Sequence, residues 1–493
     1  MTPTPEQLII LDAARNTSSN LLISALAGAA KTTTLVMIAE ALAPEPMLCL
    51  AFNKRIADEM TERLPGNCNA STLNSLGHRA WSKTIGRNLI LAKDKNFGIV
   101  KELISKLKPR EKDEAYDSLS EILDAVAWGK SMGYVPTGRF PNAKPLMNDE
   151  EFFATLDEEP SDLIVRIVIE ATLESLGRGL RGEVDFNDQL LLPTVFPAIF
   201  PQYPHVLVDE AQDLSALNHA MLRKLAKKRL TAVGDECQAI YAFRGAATDS
   251  MGTLRESFEM QEYRLSISFR CPTAIVAEAN WRAPHMVSGK DAAGSVTTLD
   301  RWTVNDLPDT AAIICRNNAP LFAAALRLLK DGRYPQIVGN DIGKSLLKTL
   351  KKLGRESLPQ ANVMLAIDAW EQSKMKKTRV SQKVKDMAEC LRVFARQGPT
   401  LADAIAYAED IMTRKGPIQL MTGHKAKGLE FDNVFILNRT LVNMGEEQDR
   451  NLMYVMQTRA KERLMYVEGL GYMALPRGST TIPAIAQNPL TTA

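Results

Sequence analysis

The amino-acid sequence predicts an α/β protein with two parallel-sheet cores, each carrying a mostly helical insertion. Three observations lead there. A short apolar run, Asn20 to Ala25, feeds a loop of small residues and then a helical stretch. A second run, Tyr203 to Val208, ends in the adjacent acids Asp209 and Glu210. Strand-sized runs recur late in the chain, at Ala311–Cys315, Val434–Leu437 and Leu464–Val467. Short apolar runs separated by helical text read as strands buried on both faces, the habit of a parallel sheet.

The first run leads into Leu26-Ala-Gly-Ala-Ala-Lys-Thr-Thr-Thr34, then into Leu35 to Leu42. Strand, small-residue loop and helix start together form an anion cradle, in which backbone N–H groups and the helix dipole face phosphates. Lys31 is placed to reach the β- and γ-phosphates and the Thr32 hydroxyl to bind Mg²⁺. The usual loop has Gly just before the Lys, whereas this chain has Ala30, whose methyl disfavours a positive φ. At the end of the Tyr203 run, Asp209 can hold a magnesium ion and Glu210 can polarise a water. A further strand ends near Gly234 and places Asp235, Gln238 and Arg244 beyond its carboxyl end, the edge where open parallel sheets bind ligands.

Lys31 and Asp209 lie too far apart in the chain for one compact core without an insertion. Met47 to Phe52 reads as a second strand, and Asn69 to Ser75 as another that leads into a helix. From about Lys83 to Arg181 the sequence turns helical and charged, and Asp185 to Leu192 returns to the core. A second α/β unit is expected from near Ser266, interrupted by Lys-, Arg- and Ala-rich helical text between about Ser345 and Thr413. The expected pieces are 1–83 with 183–265, an insertion at 84–182, a second core at 266–345 with 414–493, and a reduced insertion at 346–413. No solenoid repeat or low-complexity tract is visible.

Composition narrows the class. The chain has 493 residues, 45% hydrophobic and 24% charged, with a net charge of +2, as expected of a soluble globular protein with ample core. Six scattered cysteines without a C-x-x-C pair suggest neither a zinc ribbon nor an iron–sulfur cluster. The opening Met1-Thr-Pro-Thr-Pro-Glu-Gln7 has no basic–apolar signal pattern, and no run reaches ~18 apolar residues. The expectation is a cytoplasmic protein, nucleoid-associated in a prokaryotic or viral setting, that does not touch membranes.

Two late segments complete the motif set: Ile418-Gln-Leu-Met-Thr-Gly-His-Lys-Ala-Lys-Gly-Leu-Glu-Phe431 and Asn451-Leu-Met-Tyr-Val-Met-Gln-Thr-Arg-Ala-Lys461. With these, the chain resembles superfamily 1A DNA helicases of the UvrD/Rep type over nearly its whole length and in family order. The form of the phosphate loop is most similar to that of the F-box DNA helicase branch. The resemblance implies two RecA-like domains with ATP bound in the cleft between them.

It also implies residue roles. Gln7 would read adenine, and Phe269, where the family more often has Tyr, would stack on the base. Ala27, Gly28, Ala29, Ala30, Lys31, Thr32 and Thr33 would cradle the phosphates, with Thr32 and Asp209 on Mg²⁺. Glu210 would orient water, Gln238 would link phosphate to DNA grip, and Arg270 and Arg459 would reach the γ-phosphate. Glu430 would accept from the nucleotide sugar or order the loop. DNA contacts would fall on Phe52, Asn53, Thr72, Ser75, Tyr241, Phe243, Arg244 and His424; Asn74 stands where the family has His, and Phe243 where it often has Trp. The form of the His424–Phe431 segment belongs to the 3′-to-5′ group.

The implied function is an ATP- and Mg²⁺-dependent single-stranded DNA translocase and 3′-to-5′ helicase, acting at single-strand/duplex junctions in repair, recombination or replication. Two alternatives stay open. One is a translocase that strips bound proteins and unwinds weakly, suggested by the reduced second insertion. The other is a nucleotide-gated DNA-binding subunit, suggested by Ala30. The basic run Lys374 to Lys385 reads either as a grip on duplex phosphates or as a solvated helix face.

Overall fold

The computed structural model describes residues 2–156, 159–241, 249–339, 341–375 and 381–467. Phe243, Arg244 and the centre of the basic run, 376–380, lie outside the described residues. Among the described residues sixteen strands follow in chain order: β1 Leu21–Ala25, β2 Met47–Leu50, β3 Cys68–Ser71, β4 Ile90–Leu91, β5 Glu183–Val184, β6 Tyr203–Val208, β7 Ala226–Gly234, β8 Gln261–Leu265, β9 Ile267–Ser268, β10 Val287–Ser288, β11 Ser295–Leu299, β12 Ala311–Cys315, β13 Pro335–Ile337, β14 Ile418–Thr422, β15 Phe431–Leu437 and β16 Ala460–Val467.

Two six-stranded parallel sheets carry the architecture. One runs β3-β2-β6-β7-β1-β8 and the other β11-β16-β15-β12-β14-β13. The parallel sheets are as the apolar runs predicted, and the two RecA-like cores as the resemblance implied. The chain divides into two compact units. The first is chiefly Met1–Asp291 together with Gly445–Tyr454. The second takes Ala292–Lys374, most of the chain from there to Met444, and the segment that starts at Val455.

In the first unit the sheet is buried on both faces. Ile10, Leu21, Ile23, Leu35 and Leu207 build one core, and Leu22, Leu48, Val206, Val208 and Leu222 the other. The alternation along β1 divides its side chains between the two cores, as the period of two requires. The sequence placed the start of the second unit near Ser266, but 266–291 packs with the first unit. β9 pairs with β10 there, and the Glu6 carboxylate accepts from the Ser266 backbone N–H (2.8 Å) and hydroxyl (2.6 Å). A strand-sized run marks a strand; it does not say which core that strand joins.

The helices between β4 and β5 have their own core around Ile99, Val126, Tyr134, Phe152 and Val168. A fully buried ion cluster joins this insertion to the returning chain. The Lys95 Nζ lies 2.6 Å from Asp188 Oδ2, and the Lys130 Nζ lies 2.6 Å from Asp185 Oδ2 and 2.7 Å from Asp188 Oδ1. Ser175 Oγ accepts from Lys130 at 2.8 Å. Two cations and two anions compensate one another, so no net charge is buried.

The second insertion is organised differently. Leu346, Leu350, Ile367, Leu391, Phe394, Leu401 and Ile411, from its four helices, share one core with Phe322, Ile313, Leu420 and Phe435 of the second sheet and its helix. The described residues of 346–413 thus form a layer of the second unit and share its core. No helix of the described residues is long and apolar enough to cross a membrane.

Lys130→Met leaves Asp185 and Asp188 with an uncompensated buried charge and is expected to cost ~3–5 kcal/mol. Chemical denaturation measures it. A loss below about 1 kcal/mol would show that the cluster contributes little.

Candidate active site

Strand order builds the site. β7 lies between β1 and β6, so the residues just past the carboxyl ends of these three parallel strands become neighbours. Lys31 follows β1, Asp235 follows β7, and Asp209 and Glu210 follow β6.

The Lys31 Nζ is 3.4 Å from Glu210 Oε2, and the Thr32 hydroxyl donates to Asp209 Oδ2 at 3.2 Å. Burial lowers the pKa of the Lys31 ammonium, but the carboxylates of Glu210, Asp235 and Asp209 outweigh that and hold it above the ordinary lysine value. Burial, reinforced by the charge of Glu210, raises the Asp209 carboxyl to about 6. Asp235 is also raised, again chiefly by burial.

The backbone bends where the chemistry sits. Ala30, at the start of helix Lys31–Ala41, adopts φ 57° and ψ 39°. The sequence argument held that alanine disfavours a positive φ; the turn imposes that conformation on alanine nonetheless, at a cost of ~1–2 kcal/mol. Glu210 is also left-handed, at φ 52°. Gly28 has φ +75°, and a Cβ there would stand 2.6 Å from the Arg270 Cβ and 2.7 Å from Ser268 Oγ. The Phe269 N–H donates to the Gly28 carbonyl at 2.9 Å. The close approach that Gly28 permits thus sets half-buried Phe269 and Arg270 against the phosphate loop.

Gln7 is buried, donates to Thr34 Oγ1 at 2.9 Å and accepts from the Thr4 N–H at 2.9 Å. Its amide is therefore fixed against the first helix of the loop. Gln238 donates to Asp235 Oδ2 at 2.6 Å. Thr33 Oγ1 accepts from Arg63 at 3.1 Å. Ala27 and Ala29 are buried in the loop.

Thr32 and Asp209 fit a magnesium ion. Both offer hard oxygen donors, and their 3.2 Å separation is near the ~2.9 Å expected between adjacent ligands of an octahedral ion at ~2.1 Å.

Of the candidate nucleic-acid contacts, the described ones in the first unit follow the carboxyl ends of strands of the same sheet. Phe52 is 44% exposed and stacks on half-buried Tyr241, with ring centroids 5.8 Å apart and planes at 9°. Asn53 and Thr72 are N-caps: Asn53 Oδ1 accepts from Ile56 N–H at 3.0 Å and Thr72 Oγ1 from Ser75 N–H at 3.2 Å. Two helix N-termini therefore follow the neighbouring strands β2 and β3, and such ends attract phosphate.

The sequence reading missed Phe186, which is 66% exposed. Its carbonyl accepts from Asn74 at 3.1 Å. Nothing in the sequence announces that Phe186 is exposed or that its carbonyl meets Asn74.

His424, Glu430 and Arg459 belong to the second unit. His424 is half-buried in the turn after β14 and Glu430 is exposed before β15. Arg459 is buried, and donates to the Val455 carbonyl at 2.9 Å and the Leu429 carbonyl at 3.2 Å. It thereby pins the segment that carries Glu430.

A phosphate loop over a parallel sheet, a Thr–Asp pair suited to a divalent ion and a neighbouring Glu define a P-loop nucleotide-binding protein. Residues 7–244 match the family described as an AAA domain, and residues 417–467 match the UvrD-like helicase C-terminal domain. The two matches together support a superfamily 1 helicase of the UvrD/Rep type.

The chain is 24% identical to F-box DNA helicase protein 1 of Schizosaccharomyces pombe over 519 aligned residues, which cover 94% of this chain and 57% of that protein. It is 26% identical to F-box DNA helicase 1 of Gallus gallus, over 95% of this chain and 49% of that protein. DNA helicase IV of Escherichia coli is 28% identical over 54% of this chain and 45% of that protein. The chain spans about half the length of the curated relatives it matches.

Two outcomes follow from this geometry. A carboxyl with a raised folded-state pKa holds its proton more tightly folded than unfolded. Asp209 therefore stabilises the ligand-free fold below pH ~4, and that contribution is lost as pH climbs toward about 6. Without magnesium, Asp209→Asn should melt above wild type at pH 7, with the gap narrowing toward pH 4; parallel melting curves would contradict the assignment. Ala30→Gly relieves the left-handed strain while loosening the unfolded chain, for a net gain of ~0–1 kcal/mol. Destabilisation by more than that, in urea titration, would mean the loop has another conformation.

Proposed function

We propose that the chain is an ATP-driven motor that translocates on single-stranded DNA in the 3′-to-5′ direction and unwinds duplex DNA at junctions, in repair, recombination or replication. The observation that carries this reading is the joint placement of Lys31, Thr32, Asp209, Glu210 and Arg270 around the carboxyl edge of one sheet. The names of the relatives, DNA helicases, point the same way, as does the form of the His424–Phe431 segment for polarity.

In the proposed reaction Lys31 leaves its pairing with Glu210 to face the β- and γ-phosphates. That frees the Glu210 carboxylate to orient the attacking water and accept its proton. Magnesium, held by Thr32 and Asp209, would offset charge on the phosphate oxygens. Arg270, carried beside Gly28, supplies positive charge on the same side as the loop, and Arg459 is the second arginine proposed for the γ-phosphate. Phe269 and Gln7 select the base by stacking and by paired hydrogen bonds. Gln238, tethered to Asp235, relays the state of the phosphates toward the Phe52–Tyr241 stack, where bases would lie. Phe186 is a further stacking candidate on that surface.

DNA-stimulated ATPase and strand separation, measured on duplexes with 3′ or 5′ tails, test the reading. Lys31→Ala should abolish nucleotide binding and turnover, whereas Glu210→Gln should keep binding and lose turnover by at least a hundredfold. Substantial hydrolysis by either variant, or unwinding only from 5′ tails, would overturn the corresponding part.

A further inference from the structure

Helix Glu447–Gln457 contributes its first two turns to the first unit, and the unit boundary falls after Tyr454. Two side chains one turn apart on this helix face the turn that follows β7. The Asn451 Nδ2 donates to the Ala239 carbonyl at 2.9 Å and to the Glu236 carbonyl at 3.3 Å, while its Oδ1 accepts from Arg282 at 2.8 Å. Tyr454 reaches further. Its fully buried hydroxyl accepts from the Ala27 N–H of the phosphate loop at 3.1 Å and donates to Asp235 Oδ2 at 3.4 Å.

Asp235 is the centre of a wider network. It holds Gln238 through the same carboxylate oxygen, and its Oδ1 accepts from the Cys237 N–H at 3.1 Å. Its own N–H donates to Gln212 Oε1 at 2.9 Å, and Gln212 donates to Glu210 Oε2 at 2.5 Å. One phenol oxygen thus bridges the loop that would hold phosphate to the carboxylate that fixes Gln238. Asp235 in turn leads, through its main chain and Gln212, to Glu210.

We propose that Tyr454 is a positioning residue of the nucleotide site: its hydroxyl sets the first turn of the phosphate loop against Asp235 and so keeps the Gln238 turn in register with that loop. This rests on the nucleotide-binding reading above. A hydroxyl is suited to the task because it can accept from an amide and donate to a carboxylate at once. Ring packing alone would need only Phe.

The test is binding of a fluorescent ADP analogue with magnesium to the full chain, alongside thermal melting, for wild type, Tyr454→Phe and Asn451→Ala. Tyr454→Phe deletes one oxygen and keeps the ring in place. It leaves the Ala27 N–H without its bridge, and affinity should fall roughly tenfold, the scale of one buried hydrogen bond with a charged partner. Asn451→Ala loosens the helix from the same turn without touching the phosphate loop, and should bind within about twofold of wild type.

Wild-type affinity in Tyr454→Phe would overturn the proposal while leaving the nucleotide reading intact. Equal losses in the two variants would make Tyr454 a docking side chain like Asn451 and overturn it as well. A wild-type chain that binds no nucleotide would overturn the reading beneath it, and the proposal with it.

Discussion

The largely buried ammonium of Lys31 is the point on which the first unit turns. It stands at the carboxyl edge of a parallel sheet, where β1, β7 and β6 deliver a lysine and three acids within Coulombic reach. Buried alone, such a cation would be forced toward neutrality; Glu210, Asp235 and Asp209 keep it charged. Three carboxyls against one ammonium leave the site short of positive charge. In the ligand-free protein burial, reinforced by the charge of Glu210, raises the Asp209 pKa. A divalent ion between Thr32 and Asp209 would meet the same need by another route. The strand order therefore sets both the chemistry and the electrostatic demand.

The loop that carries Lys31 is held from several sides. Gly28 admits Phe269 and Arg270, Gln7 locks onto the following helix through Thr34, and Tyr454 caps the Ala27 amide. Such fixation matters for phosphate recognition, because an amide or ammonium that must first reorganise gives back part of its interaction energy as ordering cost. Left-handed Ala30 and Glu210 show where that rigidity is taken up as backbone strain.

Much of this was legible in the sequence. Strand-sized runs marked β1, β2, β3, β6 and β7 of the first sheet and β12, β15 and β16 of the second, but not β8, β11, β13 or β14, and the acids after β6 and the lysine after β1 read as one site. Parallel sheets make this possible, since every strand brings its carboxyl end to the same edge. What the sequence hid was contact between distant segments. Nothing local to Tyr454 says that its hydroxyl meets Ala27, nor that Glu6 holds Ser266, and so the boundary near Ser266 was drawn early. Ala30 misled in the opposite sense, because an intrinsic preference was overridden by the turn that surrounds it.

The helices of 346–413 interleave Leu391, Phe394 and Leu401 with Phe322 and Phe435 of the second sheet. An appendage joined by a linker can swivel about it, but a layer sharing one dry interior cannot turn without opening that interior to water. Any displacement of this segment must therefore carry the second sheet along as a single body. Long-range rearrangement of the sort an independently hinged arm provides is closed to it.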